Sequence, residues 1–303
     1  MKRVRLHAAG PDVSAVIWGA WRVLKGAGPD SPQALARFIA GAVERGVTSF
    51  DHADIYGGYR MEALFGEALT LWGGARHSIE IITKCGIMAR APARPEHRIG
   101  HRDTRAAHIR ASVDASLGHF RTDYLDLLLI HRPDPLMDAD ETARGLEDVV
   151  KAGKVRSVGV SNHAPSQLDL LQSRLSIPLT TNQVQASVLH TAPLADGTFD
   201  QAQRMRARPM IWSPLGGGAL FTGEGEQARR VRAALTAIGG KTGVSDIGQL
   251  ALAWLAMHPV GMVPVVGTSS LARLESAVAS LDVTLERQDW YAVLEASTGA
   301  PLP

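Results

Sequence analysis

The stretch 51–60, DHADIYGGYR, sets Asp51, His52, Asp54 and Tyr56 directly after an apolar run, with Gly57 and Gly58 beside the tyrosine. Other apolar runs also end in polar residues: Lys84 in IITKCG, His131 in LLLIHRPDP, Ser161-Asn162 in GVSN, and Gln183 in TNQVQ. Each has an ordinary reading: a packed tyrosine, a solvated lysine, a turn-capping aspartate, a satisfied core histidine. Jointly those readings require several independent coincidences at strand ends, where unpaired buried charge is costly. The chemistry that uses the whole set is proton donation to a carbonyl oxygen while hydride reaches its carbon. Tyr56 is the acid in this scheme. A free phenol has a pKa of about 10, so it needs a neighbouring cation, and the Lys84 ammonium favours the phenolate. Asp51 pairs with Lys84 and keeps it charged and oriented, while His131 hydrogen-bonds the carbonyl oxygen. On this reading Lys84→Met costs rate and leaves folding largely intact. His52 and Asp54 support the loop rather than react.

These residues meet only if the strand ends share one mouth. Strand-like runs at 16–19, 48–51, 79–84, 124–131, 155–160, 179–183, 209–212 and 262–266 alternate with segments of helical length. The helices are expected near 32–45, 60–71, 103–118, 139–152, 165–173, 197–206, 226–239 with 245–257, 270–280 and 287–297. Ser31-Pro32, Asp103 and Ser269-Ser270 mark helix starts. A hairpin of 4–7 with 13–15 precedes the first unit. Strands that are apolar throughout, rather than at alternate positions, imply a parallel sheet covered by helices. Eight such units in 303 residues predict an α/β fold, a (β/α)8 TIM barrel with an N-terminal β-hairpin and extra helices, as one domain over 1–303. A doubly wound sheet would carry a glycine-rich phosphate loop after its first strand; GAWRVLKGAG there lacks the fingerprint.

Composition narrows the function further. The chain is 45% hydrophobic and 20% charged with net charge +2, and has no block of like charges that would suit nucleic acid or an anionic membrane. Cys85 is the only cysteine, which excludes an internal disulfide and fits a reducing compartment; with no signal-peptide pattern at the start, cytoplasm is the expected location. The segment 247–272 has no Asp, Glu, Lys or Arg, but its Pro259, Gly261, Pro264 and Gly267 indicate a buried helix to Met257 and a short strand rather than a membrane span. GEGEQA at 223–228 matches a dinucleotide pattern only formally, since it follows a loop and carries two glutamates. His97, His101 and His108 lack the ligand spacing of a metal site, so no metal is expected.

The ordered set VIWGAW, FDHADIYGGYRMEALFGEAL, IITKCG, LDLLLIHRPDP, GKVRSVGVSN, TNQVQ, IWSPLGGG and VPVVGTSSLARLES resembles the aldo-keto reductases, barrel enzymes that reduce carbonyls with NAD(P)H, over nearly the whole chain. It is most similar to a bacterial subgroup with DHADIYGGY and LLLIHRPDPLMDAD. The resemblance places the family's catalytic tetrad on Asp51, Tyr56, Lys84 and His131. It also implies that Ser161, Asn162 and Gln183 hold the nicotinamide carboxamide and that Trp212 stacks on the ring. Gly19 and Trp21 then border the nicotinamide ribose and substrate pocket, and Ser213, Leu215 and Gly217 approach the pyrophosphate. Gly267, Thr268 and Ser269, with Ser270 and above all Arg273, face the 2′-phosphate of NADPH, which is expected to be favoured over NADH. The chain departs from the family pattern at Gly267, where many relatives have lysine, and at Ser276-Ala277, where they have Glu-Asn.

The implied partner is a small-molecule carbonyl substrate, its pocket lined by 86–101, 132–137 and the end of the chain, 297–303; neither its identity nor the oligomeric state follows from the residues. Two other functions compete with a reductase: a cofactor-binding accessory protein of slow turnover, and a metal-dependent barrel hydrolase using Asp51, His52 and His131.

Overall fold

Each strand run closes against the next in chain order, and the last returns to the first. The strands are β1 (Ile17–Gly19), β2 (Ser49–Asp51), β3 (Glu80–Cys85), β4 (Leu127–Ile130), β5 (Val158–Ser161), β6 (Leu179–Gln185), β7 (Met210–Trp212) and β8 (Val263–Val266). All eight pairings are parallel, from β1·β2 round to β8·β1. This computed structural model describes residues 2–25 and 28–301. The expected substrate-pocket tail therefore lies outside the described residues at its last two positions.

Two apolar layers hold the barrel. Inside, Ile17, Ile82, Leu127, Leu129, Met210, Val263 and Val265 fill the lumen, and the N-terminal hairpin (Arg3–Arg5 with Asp12–Ser14) adds Leu6 and Val13 beneath them. Outside, the other face of the strands packs on helices, which explains why most strands, such as Leu127–Ile130 and Val263–Val266, read as apolar runs rather than alternating ones. The principal helices are α1 (Pro32–Glu44), α2 (Met61–Trp72), α3 (Ala106–Phe120), α4 (Ala139–Lys151), α5 (Pro165–Gln172), α6 (Thr198–Met205), α7 (Ala219–Thr222), α8 (Glu226–Thr242), α9 (Ile247–Met257), α10 (Leu271–Ala279) and α11 (Arg287–Thr298). Ser31 caps α1 with proline in its first turn, and Ser270 caps α10. Helices α2 and α3 approach so closely that a Cβ on Gly66 would lie 2.0 Å from the His119 carbonyl oxygen.

Expected starts move at the third helix, at β4 and at β5, the last from 155 to Val158. The third helix begins at Ala106, because the Asp103 carboxylate is occupied by the Arg105 backbone N–H and guanidinium in the preceding turn. Strand β4 begins at Leu127 rather than 124: the Asp126 carboxylate accepts from the Ile81 N–H, and Tyr124 lies between the guanidiniums of Arg76 and Arg156. A two-residue hairpin, Ile87–Met88 with His101–Arg102, stands over the mouth after β3 and is too short to leave a period in the sequence. No helix among the described residues is long and apolar enough to cross a membrane; α9 and β8 account for the uncharged segment.

Register puts the polar strand ends side by side. Gly19 pairs with Asp51, Lys84 with Leu129, and Ser161 with Gln183. His131 follows β4 and is tied by its N–H to the Cys85 carbonyl at 2.9 Å.

Candidate active site

Lys84 is the hub at the C-terminal mouth. Its side chain is 1% exposed, and Nζ donates to Asp51 Oδ1 (2.8 Å), Asp51 Oδ2 (2.7 Å), the His52 carbonyl (2.8 Å) and the Tyr56 hydroxyl oxygen (3.2 Å). Burial alone lowers the Lys84 pKa, but attraction to Asp51, the Tyr56 interaction and the hydrogen bonds outweigh it, so the net direction is up. Tyr56 reaches the ammonium because the loop turns back at Gly57 and Gly58, both at positive φ, and a Cβ on Gly57 would meet Leu24 Cδ1 at 2.4 Å. The phenol itself differs from expectation. Lys84 does pull its pKa down, yet burial is the larger effect and the net shift is upward from 10. Removing Lys84 would also strand a buried carboxylate, so the expectation that folding survives Lys84→Met does not fit this pair.

His131 lies beside the tyrosine, ring centroids 6.0 Å apart. Burial, with the charges of Lys84, Arg132 and Arg102, holds its pKa well below the usual 6.5, so the imidazole is neutral near pH 7. Its Nδ1 is sealed from solvent without a partner among the described residues. His52 points elsewhere. Its ring sits in an aromatic box, 4.3 Å from Phe65, 5.1 Å from Phe120 and 6.2 Å from Trp18, with neither nitrogen bonded among the described residues. Asp51, His52 and His131 therefore do not converge as a hydrolase site, and no group of three His, Cys, Asp or Glu among the described residues could hold a metal. Asp54 accepts from the Ile55 N–H at 2.7 Å, and burial followed by Glu62 raises its carboxyl well above the usual range.

The His52 box carries a pH dependence with a definite sign. Burial, then Lys84, pushes the His52 pKa down to about 3, against about 6.5 in an unfolded chain. Between those values the unfolded chain binds a proton that the folded protein refuses, so acidification from pH 6.5 towards 3 costs stability. His52→Phe, which removes the titration and keeps a ring in the box, is expected to flatten that loss. Urea unfolding of both proteins at pH 7 and pH 4.5 measures it: the variant's relative stability rises at the lower pH, and an unchanged difference refutes the assignment.

The groove beyond the tetrad is built from β5 to β8. Asn162, at φ 60°, turns so that Nδ2 donates to Ser161 Oγ (2.7 Å) while Oδ1 accepts from Trp212 Nε1 (2.9 Å). Ser161 Oγ donates to the Gln183 carbonyl (2.8 Å), and Gln183 Nε2 donates to Asp51 Oδ1 (2.8 Å). The residues expected to hold the carboxamide are thus wired directly to the catalytic pair. Trp212 is half-buried, and Trp21, 44% exposed, crosses the Tyr56 ring edge-on at 5.0 Å. Gly19 lies against Val265, where a Cβ would meet Cγ1 at 2.9 Å.

After Trp212 the backbone runs through Ser213 at φ 51° and Leu215 into Gly216, Gly217 and Gly218, all at positive φ. A Cβ on Gly218 would meet nothing within 4 Å, so a ligand can approach this turn closely. Arg22 spans the groove: its Nη2 donates to the Gly217 carbonyl at 2.7 Å, and its Cδ lies 3.9 Å from where a Cβ on Gly267 would stand. On the far side Trp18 Nε1 donates to the Thr268 carbonyl at 2.7 Å. Gly267, Ser269 and Arg273 are exposed, whereas Thr268 Oγ1 and Ser270 Oγ accept from the Ser270 and Arg273 N–H groups of the helix start. An open glycine turn flanked by basic side chains fits the phosphates of a dinucleotide, and the half-buried Trp212 face beside paired amides fits a flat polar ring. At the departure from the family pattern, Ser276 donates to Asp246 and accepts from Gln249, and Ala277 is buried; both serve packing of α10 on α9.

Sequence reasoning passed over Arg22 and Arg102, and took in Arg132 only as the first residue of the pocket segment 132–137. Arg132 was readable in principle, since it directly follows His131; Arg22 depends on a crossing between distant loops.

A closed parallel barrel with a buried acid–lysine–tyrosine network at its C-terminal mouth is the architecture of a (β/α)8 enzyme. The chain belongs to the Aldo/keto reductase family, whose family model matches residues 15–297. It is 45% identical over 288 residues to a 6-dehydroglucose reductase of Agrobacterium fabrum, covering 95% of each chain, and 43% identical over 303 residues to the oxidoreductase YdhF of Escherichia coli, covering all of both. A solved structure of the thermostable aldo-keto reductase Tm1743, in complex with the inhibitor epalrestat, superposes with a TM-score of 0.83 at 25% identity over 98% of this chain and all of that one. Nicotinamide-dependent carbonyl reduction is the general chemistry of this family.

Proposed function

We propose that this protein reduces an aldehyde or ketone to the alcohol, using NADPH in preference to NADH and taking the proton from Tyr56. The observation that carries the reading is the single Lys84 ammonium, which grips both Asp51 oxygens and the Tyr56 oxygen inside a sealed site. Because Lys84 donates to the phenolic oxygen, the phenol's own hydrogen is free to point at a carbonyl oxygen. His131 is neutral, and with Nδ1 sealed its Nε2 is the nitrogen that would meet the same oxygen and donate to it in the Nε2–H tautomer. A nicotinamide held by Ser161, Asn162, Gln183 and Trp212 would supply the hydride to the carbonyl carbon. Proton transfer from Tyr56 completes the alcohol, and the Lys84 charge stabilises the phenolate left behind. Trp21 and Trp212 offer apolar walls to the substrate. The accessory-protein reading leaves this network without a task.

The direct test mixes the protein with NADPH or NADH and a panel of aldehydes, 6-dehydroglucose among them, and follows cofactor oxidation. Turnover with aldehyde and a preference for NADPH are expected; a single slow turnover with every member would favour the accessory role.

Arg273 is assigned to the 2′-phosphate. It is exposed and forms no ion pair among the described residues, while its own N–H is taken by the Ser270 cap. A guanidinium fork on a phosphate is a charged hydrogen bond of about 1.5–3 kcal/mol. Arg273→Ala is therefore expected to weaken NADPH binding roughly ten- to a hundredfold and to leave NADH little changed. Equal effects on the two cofactors, in fluorescence titrations, reject the assignment.

A further inference from the structure

We propose that Arg132, supported by Arg102, selects carbonyl substrates that carry a carboxylate. This deepens the reductase reading and rests on it.

Arg132 follows His131 directly, so its side chain starts one residue from the group that holds the carbonyl oxygen. It is half-buried, with its guanidinium carbon 5.7 Å from the centre of the Trp212 ring. No carboxylate pairs with it among the described residues, because the acids around it are already engaged. Asp134 accepts from Thr104 Oγ1 (3.2 Å) and the Leu136 N–H (2.9 Å), Asp103 is held by Arg105, and Asp51 by Lys84. A second guanidinium arrives from the mouth hairpin: Arg102 pairs with Ile87, three residues past Lys84, and spends only Nη1, on the His101 carbonyl at 3.1 Å. Burial, then Arg102, lowers the Arg132 pKa.

Holding a cation half-buried beside another cation is unfavourable, and apart from the Trp212 ring no carboxylate among the described residues offsets it. An incoming carboxylate would, and the planar fork of arginine matches its two oxygens. The spacer between carbonyl and carboxylate would be short, because both readers are neighbours in sequence, and it would lie against Trp212 and Trp21. An arginine that only stacks on Trp212 is the competing explanation. It predicts no discrimination by substrate charge.

The test compares 4-carboxybenzaldehyde with methyl 4-formylbenzoate, which share ring and reacting aldehyde and differ in charge. The wild-type protein is expected to favour the acid in kcat/KM. In Arg132→Gln the acid-over-ester ratio should fall roughly ten- to a hundredfold, with Arg132→Lys intermediate because it keeps the charge and loses the fork. No preference in the wild type, or an unchanged ratio in Arg132→Gln, overturns the proposal. A turnover-free arm separates the two readings: tryptophan fluorescence titration with 4-(hydroxymethyl)benzoate, in the presence of NADP+, should show the same weakening in Arg132→Gln. Equal affinities overturn the anion reader, while failure of the wild type to turn over either aldehyde overturns the reductase reading.

Discussion

Tyr56→Phe is expected to lower aldehyde reduction by roughly 10²–10⁴-fold, the range for loss of a general acid, while NADPH still binds. The substitution removes one hydroxyl from a side chain that is 7% exposed and leaves the ring on which Trp21 packs. The oxygen it removes is one of four acceptors for Lys84, so the ammonium keeps Asp51 and the His52 carbonyl and stays in place. The loss should fall on kcat far more than on cofactor affinity. Steady-state rates with one aldehyde, paired with NADPH titration, measure both. Turnover within a few-fold of wild type would remove Tyr56 from the proposed mechanism. The wild-type profile carries its own sign: the acid must be protonated, so reduction falls only where pH exceeds the phenol's pKa, which lies above 10.

The barrel was legible because parallel strands covered on both faces are mostly apolar, as LLLI at 127–130 and VPVV at 263–266 are, although LTTNQ at 179–183 departs from that form. Strand ends were legible for a related reason: the polar residue that closes each run lies at the mouth, as at Asp51, Lys84 and His131. Net effects of burial were less accessible. Sequence shows that Lys84 can act on Tyr56, but the opposing desolvation depends on how tightly Trp21, His131 and the turn at Gly57 close over the phenol. His52 illustrates the same limit, since its aromatic box draws on β1, α2 and α3. The short mouth hairpin and the Arg22 crossing depend on distant loops meeting, and a pair of residues in each strand leaves no periodic trace. Asp103 had the composition of a cap, yet Arg105 two residues on took its carboxylate.

Lys84→Met is expected to lose stability by about 3–5 kcal/mol, the cost of breaking a buried ion pair from one side, as well as rate. The reason is the partner it abandons. Asp51 is 3% exposed, and without the ammonium its charge retains, among the described residues, only the Gln183 amide as a side-chain donor. Adding Asp51→Asn should recover at least half of the loss: the asparagine oxygen still accepts from Gln183, and no charge is left buried. Activity should not recover with it, because Tyr56 still lacks its cation. Urea unfolding of wild type, single and double variants, alongside reductase rates, separates these two roles. A single variant as stable as wild type would contradict the buried pair; a double variant with restored rate would contradict the coupling of Lys84 to Tyr56. The pH dependence follows from the raised Lys84 pKa. The ammonium's contribution is complete below the unfolded value of about 10.4 and disappears as pH climbs through the higher folded value. The stability gap between wild type and Lys84→Met should accordingly stay level from neutral pH to about 10 and close only above it.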